Sequence, residues 1–133
     1  MRVMIIGCGR VGSVLANRLD EAGHHVIVLD RNQQSFRRLS EKFSGEQIVG
    51  NGLVEEFVRP TLQEKTDLLF VITDKDNINL MIAQRVKGSA RVGRVIAVVH
   101  DSILAGLYKE LGVETVCPTD LVIKNILQAI EES

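Results

Sequence analysis

The chain contains no tryptophan, one tyrosine and four phenylalanines, so aromatic residues make up only 4% of its 133 positions. A core without large rings must be filled by aliphatic side chains, and hydrophobic residues still reach 45%. That is enough apolar material for one core, and a chain of this length forms one domain by the usual size range. Cysteine is scarce. Cys8 and Cys117 are far apart in the chain, form no CxxC or metal-ligand pattern, and suit a reducing compartment. Neither charge sign dominates: 16 basic residues face 17 acidic ones, which excludes the strongly basic balance of a nucleic-acid surface. No apolar run approaches the roughly 20 residues needed to cross a bilayer. Arg2 leads at once into a short strand-like run, without the pattern of a signal peptide. These absences predict a soluble cytoplasmic protein that reaches a membrane only by docking.

What is present is concentrated in the first thirty residues. Arg2-Val3-Met4-Ile5-Ile6 is a short apolar run, and Gly7-Cys8-Gly9-Arg10-Val11-Gly12 follows directly. A helical pattern comes next and stops at Gly23. A second apolar run, Val26-Ile27-Val28-Leu29, ends on Asp30. Strand, glycine-rich turn, helix, strand and acid is the order of a dinucleotide-binding unit. Gly7 permits a sharp turn off the strand, Gly9 a close approach of the backbone to a pyrophosphate, and Gly12 close packing of helix on sheet. Free N–H groups and the dipole at the helix start favour an anion. Asp30 at the strand tip can accept from both ribose hydroxyls and would repel a 2′-phosphate, which favours NAD(H) or an adenine nucleotide over NADP(H). Arg31 is the alternative, as a ligand for a 2′-phosphate. Cys8 lies at a helix N-terminus, where thiolates are favoured; a redox role and a merely tolerated small residue are both open.

The rest of the chain continues the alternation. Helices are predicted over Arg10–Ala22, Asn32–Phe43, Asn77–Lys87 and Ile103–Leu111, with a short helix over Leu53–Arg59 and another turn near Leu62–Lys65. A final helix follows Pro118, capped by Thr119 or Asp120. Strands are predicted at Gln47–Val49, Leu68–Ile72, Val92–Val99 and Val113–Val116, and Leu68–Ile72 should be central and buried on both faces. Two polar turns, Gly50-Asn51-Gly52 and Thr73-Asp74-Lys75-Asp76, fall just past strand C-termini, where ligands bind in such sheets. The expected fold is therefore α/β: a Rossmann-type doubly wound sheet of six parallel strands, order 3-2-1-4-5-6, with helices on both faces. Adjacent His24 and His25 would point to opposite faces and carry no metal expectation. His100 beside Asp101 imitates an acid–base pair, but no nucleophile accompanies it. No catalytic residue and no metal site is assigned. A dehydrogenase needs further chain to hold substrate beside the nicotinamide, and residues 1–133 read as one domain that ends with its Rossmann unit.

The motifs resemble the RCK/KTN family, specifically its N-terminal nucleotide-binding TrkA-N domain. The resemblance rests on Met4 to Gly12, Leu15-Ala16, Gly23-His24, Val26 to Asp30, Gly50-Asn51-Gly52, Thr66-Asp67, Thr73 with Asp76 and Asn79-Leu80, Val95-Ile96-Ala97, and Leu111-Gly112-Val113 with Pro118. It implies a regulatory domain that binds NAD(H) or ATP/ADP and forms a homodimer or larger ring on the inner side of a membrane K⁺ channel or transporter subunit. It further implies that Arg10 reaches nucleotide phosphates, through the forked donors of a guanidinium, that Asp30 holds the ribose, and that Thr73 and Asp76 lie near the ligand. The expected binding set is Gly7, Cys8, Gly9, Arg10, Val11, Gly12, Asp30, Arg31, Asn51, Gly52, Thr73, Asp74 and Asp76. Asn51 stands where the family usually has an acid, and Val98 lies where it often has an arginine. The family's C-terminal lobe is not in this sequence. In the family the last helix contributes to dimer contacts, and Leu121, Val122, Ile126, Leu127 and Ile130 exceed what one face needs; packing on its own sheet is the other reading. A second functional expectation is an NAD-dependent oxidoreductase or its cofactor-binding fragment.

Overall fold

Runs of Val, Ile and Leu with helices between them leave a parallel sheet as the only way to bury both strand faces. The computed structural model describes residues 1–53, 59 and 63–132. Its described strands are β1 (Arg2–Ile6), β2 (His25–Asp30), β3 (Glu46–Val49), β4 (Thr66–Val71), β5 (Val92–Val98) and β6 (Glu114–Val116). They form one sheet in the order β3-β2-β1-β4-β5-β6, and every pairing is parallel. The fold expected from the sequence is thus the observed one. The helices are α1 (Arg10–Glu21), α2 (Asp76–Val86), α3 (Ser102–Glu110) and α4 (Pro118–Glu131).

Two cores lie on opposite faces of the sheet. On one face Val3, Ile5, Val26 and Val28 pack with Ala16 of α1 and with Phe36 and Leu39. On the other, Met4, Ile6, Ile27, Leu29, Leu69 and Val71 pack with Leu80, Ile82, Ala83 and Val86 of α2 and Ala105 of α3. Strand alternation makes this division, since odd and even positions of β1 serve different faces.

Several local expectations change. Asn32–Phe43 is not an α-helix. Only Gln33–Arg38 is helical, as a 3-10 helix, and Leu39 is extended. Asn17 of α1 ends it: its amide donates to the Arg38 carbonyl and accepts from the Ser40 N–H. A side chain from another element thereby takes the backbone groups that a longer helix would use. β4 is central, but within its apolar run only Leu69 and Val71, on the α2 face, are fully buried; Leu68 and Phe70 are partly exposed. The last helix starts at Pro118 with Cys117 at its N-cap, and not with Thr119 or Asp120 as the cap. The Thr119 hydroxyl donates instead to the His100 carbonyl at 2.7 Å. The short helix expected over Leu53–Arg59 and most of the Leu62–Lys65 turn lie outside the described residues.

α4 is the largest departure from simple packing. None of its residues is buried, and Leu121, Val122, Ile123, Ile126, Leu127 and Ile130 are each more than half exposed. Packing on its own sheet, one of two readings of this helix, is therefore not what occurs. Among the described residues, no helix is long and apolar enough to cross a membrane.

Candidate functional site

The connections leave β1 and β4 in opposite directions along the sheet, and between them the C-terminal strand ends open into a crevice. A cavity of about 360 Å³ lies there. Of the residues expected from the sequence, Gly7, Gly9, Asp30, Arg31, Asn51, Gly52, Thr73 and Asp74 line it. Cys8, Arg10, Val11, Gly12 and Asp76 do not. Sequence reasoning missed Ser35 and Lys75 on its wall and Ile6, Leu29, Ile72, Ile78 and Ile82 on its apolar floor. Lys75 belongs to the Thr73–Asp76 turn that had been singled out. Ser35 had no local signal, because it reaches the crevice only through the 3-10 turn.

The three motif glycines differ in what requires them. Gly7 has φ +111°, and a Cβ there would meet the Ile72 carbonyl oxygen at 2.4 Å. A Cβ on Gly12 would meet the Gly7 carbonyl oxygen at 2.0 Å. Both are demanded by the fold. Gly9 is not: its φ is −83°, and a Cβ would find nothing within 4 Å. It stands at the N-cap of α1, which has no side-chain cap. The first-turn N–H groups of a helix have no partner inside it, and here they lie, with the positive end of the dipole, directly after Gly9, which lines the cavity. Arg10 sits beside them on the exposed surface.

Asp30 is held rigidly. One carboxylate oxygen accepts from the Cys8 N–H at 2.8 Å and the other from the Asn32 N–H at 2.8 Å. Each oxygen keeps acceptor capacity toward the cavity. The same carboxylate affects Cys8, which is buried. Burial, and then the Asp30 charge, push its thiol up to about 11, against a smaller opposing pull from Arg38. The thiolate favoured by a helix N-terminus is therefore absent at neutral pH, and Cys8 is not the activated thiol that its position suggests.

Thr73 is positioned by Asn79, a fully buried residue of α2. The Asn79 carbonyl oxygen accepts from the Thr73 N–H at 3.0 Å and pairs with the Thr73 hydroxyl. Its amide nitrogen donates to the carbonyls of Thr73 at 3.1 Å and Val98 at 2.8 Å. One side chain thus ties the ends of β4 and β5 together. Asp76 faces the neighbouring loop. Its oxygens accept from the N–H of His100 at 2.8 Å and of Asp101 at 3.0 Å, and pair with the His100 ring at 3.0 Å. Burial opposes ionisation of Asp76, but those two backbone N–H groups and the imidazole hold its carboxyl below the ordinary range. His100 is paired with Asp76, while Asp101 caps α3 through the Leu104 N–H; the adjacent His and Asp do not act as a pair.

A family model described as the TrkA-N domain matches residues 3–119. The Trk system potassium uptake protein TrkA of Streptomyces coelicolor is 37% identical over 87% of this chain, which spans 52% of that relative. The chain therefore covers about half the length of this curated relative. Among solved structures, the NAD(P)-binding domain of an exopolyphosphatase-related protein from Archaeoglobus fulgidus superposes with a TM-score of 0.80 at 21% identity, covering 99% of this chain and 98% of that one. The Kef CTD of Shewanella denitrificans in its AMP-bound form gives 0.79 at 22%, covering 98% and 80%. At these identities the structural matches establish the fold.

Proposed function

This chain belongs to the TrkA-N domain family, and from that premise we propose that it is the regulatory nucleotide-binding part of a K⁺ transport system. The observation that carries the nucleotide reading is Gly9. Neither its backbone angles nor its neighbours call for glycine, so the missing side chain serves something that approaches from outside the chain. A phosphate on the uncapped start of α1 is that object.

In this reading the phosphates lie against Gly9 and the first-turn N–H groups, with Arg10, Arg31 and Lys75 as the cations at the rim. Asp30 accepts the ribose hydroxyls, and its charge excludes a 2′-phosphate. NAD(H) and adenine nucleotides such as ATP and ADP are the ligand class. The AMP in the Kef CTD and the potassium uptake role in the name of the Streptomyces relative support the same assignment. The chain works as a homodimer or larger ring, joined through the apolar surface of α4, on the cytoplasmic side of a membrane K⁺ channel or transporter subunit. Nucleotides that engage the rim cations differently bias the geometry of the dimer. A ligand shifts such an equilibrium only by its difference in affinity for the two states.

Calorimetric titration with NADH, NAD, ATP, ADP and AMP tests the site. At least one binds, and Gly9→Ala abolishes that binding while leaving the urea midpoint within the scatter of the wild type. Gly12→Ala is the contrasting variant, which loses the fold. Absence of binding by all five nucleotides would sink the proposal.

A further inference from the structure

Resting on the nucleotide reading, we infer that Asn51 reads the base as a hydrogen-bond donor, so that the site recognises a ring nitrogen of a purine and ignores its 6-amino group. The placement of the base follows from the crevice. With phosphate at the start of α1 and ribose at Asp30, the base extends toward the tip of β3, which is tied to β2 by the Gly50 N–H bonding the Asp30 carbonyl at 2.9 Å. Asn51 and Gly52 form the wall there, over the apolar floor of Ile6, Ile78 and Ile82. A Cβ on Gly52 would meet Ile6 Cγ2 at 2.9 Å and Ile82 Cδ1 at 3.0 Å, so the backbone at this wall lies flush on the floor.

The orientation of the Asn51 amide is set by the chain itself. Its carbonyl oxygen accepts from the Leu53 N–H at 3.0 Å. The reverse orientation would put two N–H groups face to face, so the oxygen stays turned to the backbone and the NH₂ faces away. No described residue takes the hydrogens of that NH₂. It is a donor fixed at the base end of the cavity, and its partner must be an acceptor. Every purine offers one in its ring nitrogens, whereas the 6-amino group of adenine offers hydrogens. A carboxylate in this place would keep the bond to Leu53 and reverse the preference: it accepts only, and it would require the amino group.

The experiment compares AMP with purine riboside 5′-monophosphate, which keeps the ring nitrogens and lacks the amino group. In the wild type their Kd values differ by less than fivefold. In Asn51→Asp, which preserves the turn, the ratio moves tenfold or more in favour of AMP, because the amino-free base turns a lone pair toward a charge. Asn51→Ala weakens both nucleotides alike. A wild type that prefers AMP fivefold or more, or an Asn51→Asp protein whose ratio does not move, overturns the inference while the nucleotide site stands. Failure of the wild type to bind AMP, NAD(H), ATP or ADP overturns the site itself.

Discussion

At the scale of single residues, Asn79 is the side chain on which the crevice most depends. It is fully buried and satisfies four groups at once: the N–H, hydroxyl and carbonyl of Thr73 and the carbonyl of Val98. Truncation removes the partners of the part-buried Thr73 N–H and carbonyl and the buried bond to the Val98 carbonyl, which costs more than one exchanged hydrogen bond. Asn79→Ala should therefore destabilise by about 2–4 kcal/mol, read from the shift of the urea midpoint. Thr73→Val removes only the hydroxyl and should cost about 1 kcal/mol. This dependence was not legible in the sequence. Asn79 belongs to the Thr73, Asp76 and Asn79 segment that carries the resemblance, but in an amphipathic pattern among Leu80, Ile82 and Ala83 nothing says what its side chain holds. Its role exists only because β4 and β5 end beside it. The glycines were legible in kind, since three of them at fixed spacing after a strand have a physical meaning. Only the atoms around them separate Gly7 and Gly12, which the fold requires, from Gly9, which it does not.

At the scale of elements, the strand runs were readable because buried parallel strands are nearly continuous in Val, Ile and Leu. The segment after Asp30 departs from an α-helix because its helical spacing, Phe36, Leu39 and Phe43, is satisfied equally by a 3-10 turn and an extended exit. The deciding interaction with Asn17 comes from another helix. The loop between β5 and α3 is likewise organised from elsewhere, by Asp76 at the first position of α2. That carboxyl lies below its ordinary range, so its stabilising contribution is present above the unfolded carboxylate value of 3.8. The contribution is lost as the pH falls through the folded value. Asp76→Ala should cost about 1–3 kcal/mol at pH 7. Its stability should also fall less steeply than that of the wild type when urea melts are run from pH 5 downward. Equal acid slopes for the two proteins would remove Asp76 from its role as the anchor of that loop.

At the scale of the whole molecule, the strand order followed from the alternation and the right-handed crossover rule, and the position of the crevice followed from the strand order. What the alternation could not supply was the disposition of α4. A helix after the last strand ordinarily folds back over the sheet, and in this one no residue is fully buried, while Leu68 and Phe70 of β4 stay partly exposed on the face away from α2. Its 14 residues span about 21 Å, with six large aliphatic side chains in water. A surface of that kind is characteristic of an interface rather than of a free helix. Two copies related by a twofold axis would cover both helices with one self-complementary contact. A charge placed in its centre then separates association from folding, because no core contact is removed. Ile126→Glu should retain the helical circular dichroism of the parent while its mass in sedimentation equilibrium falls from twice 14.7 kDa to 14.7 kDa. A parent that is already monomeric at tens of micromolar, or a variant that stays dimeric, would show that α4 is not what joins the copies. In that case a nucleotide in the crevice would need a different element through which to act on its partner.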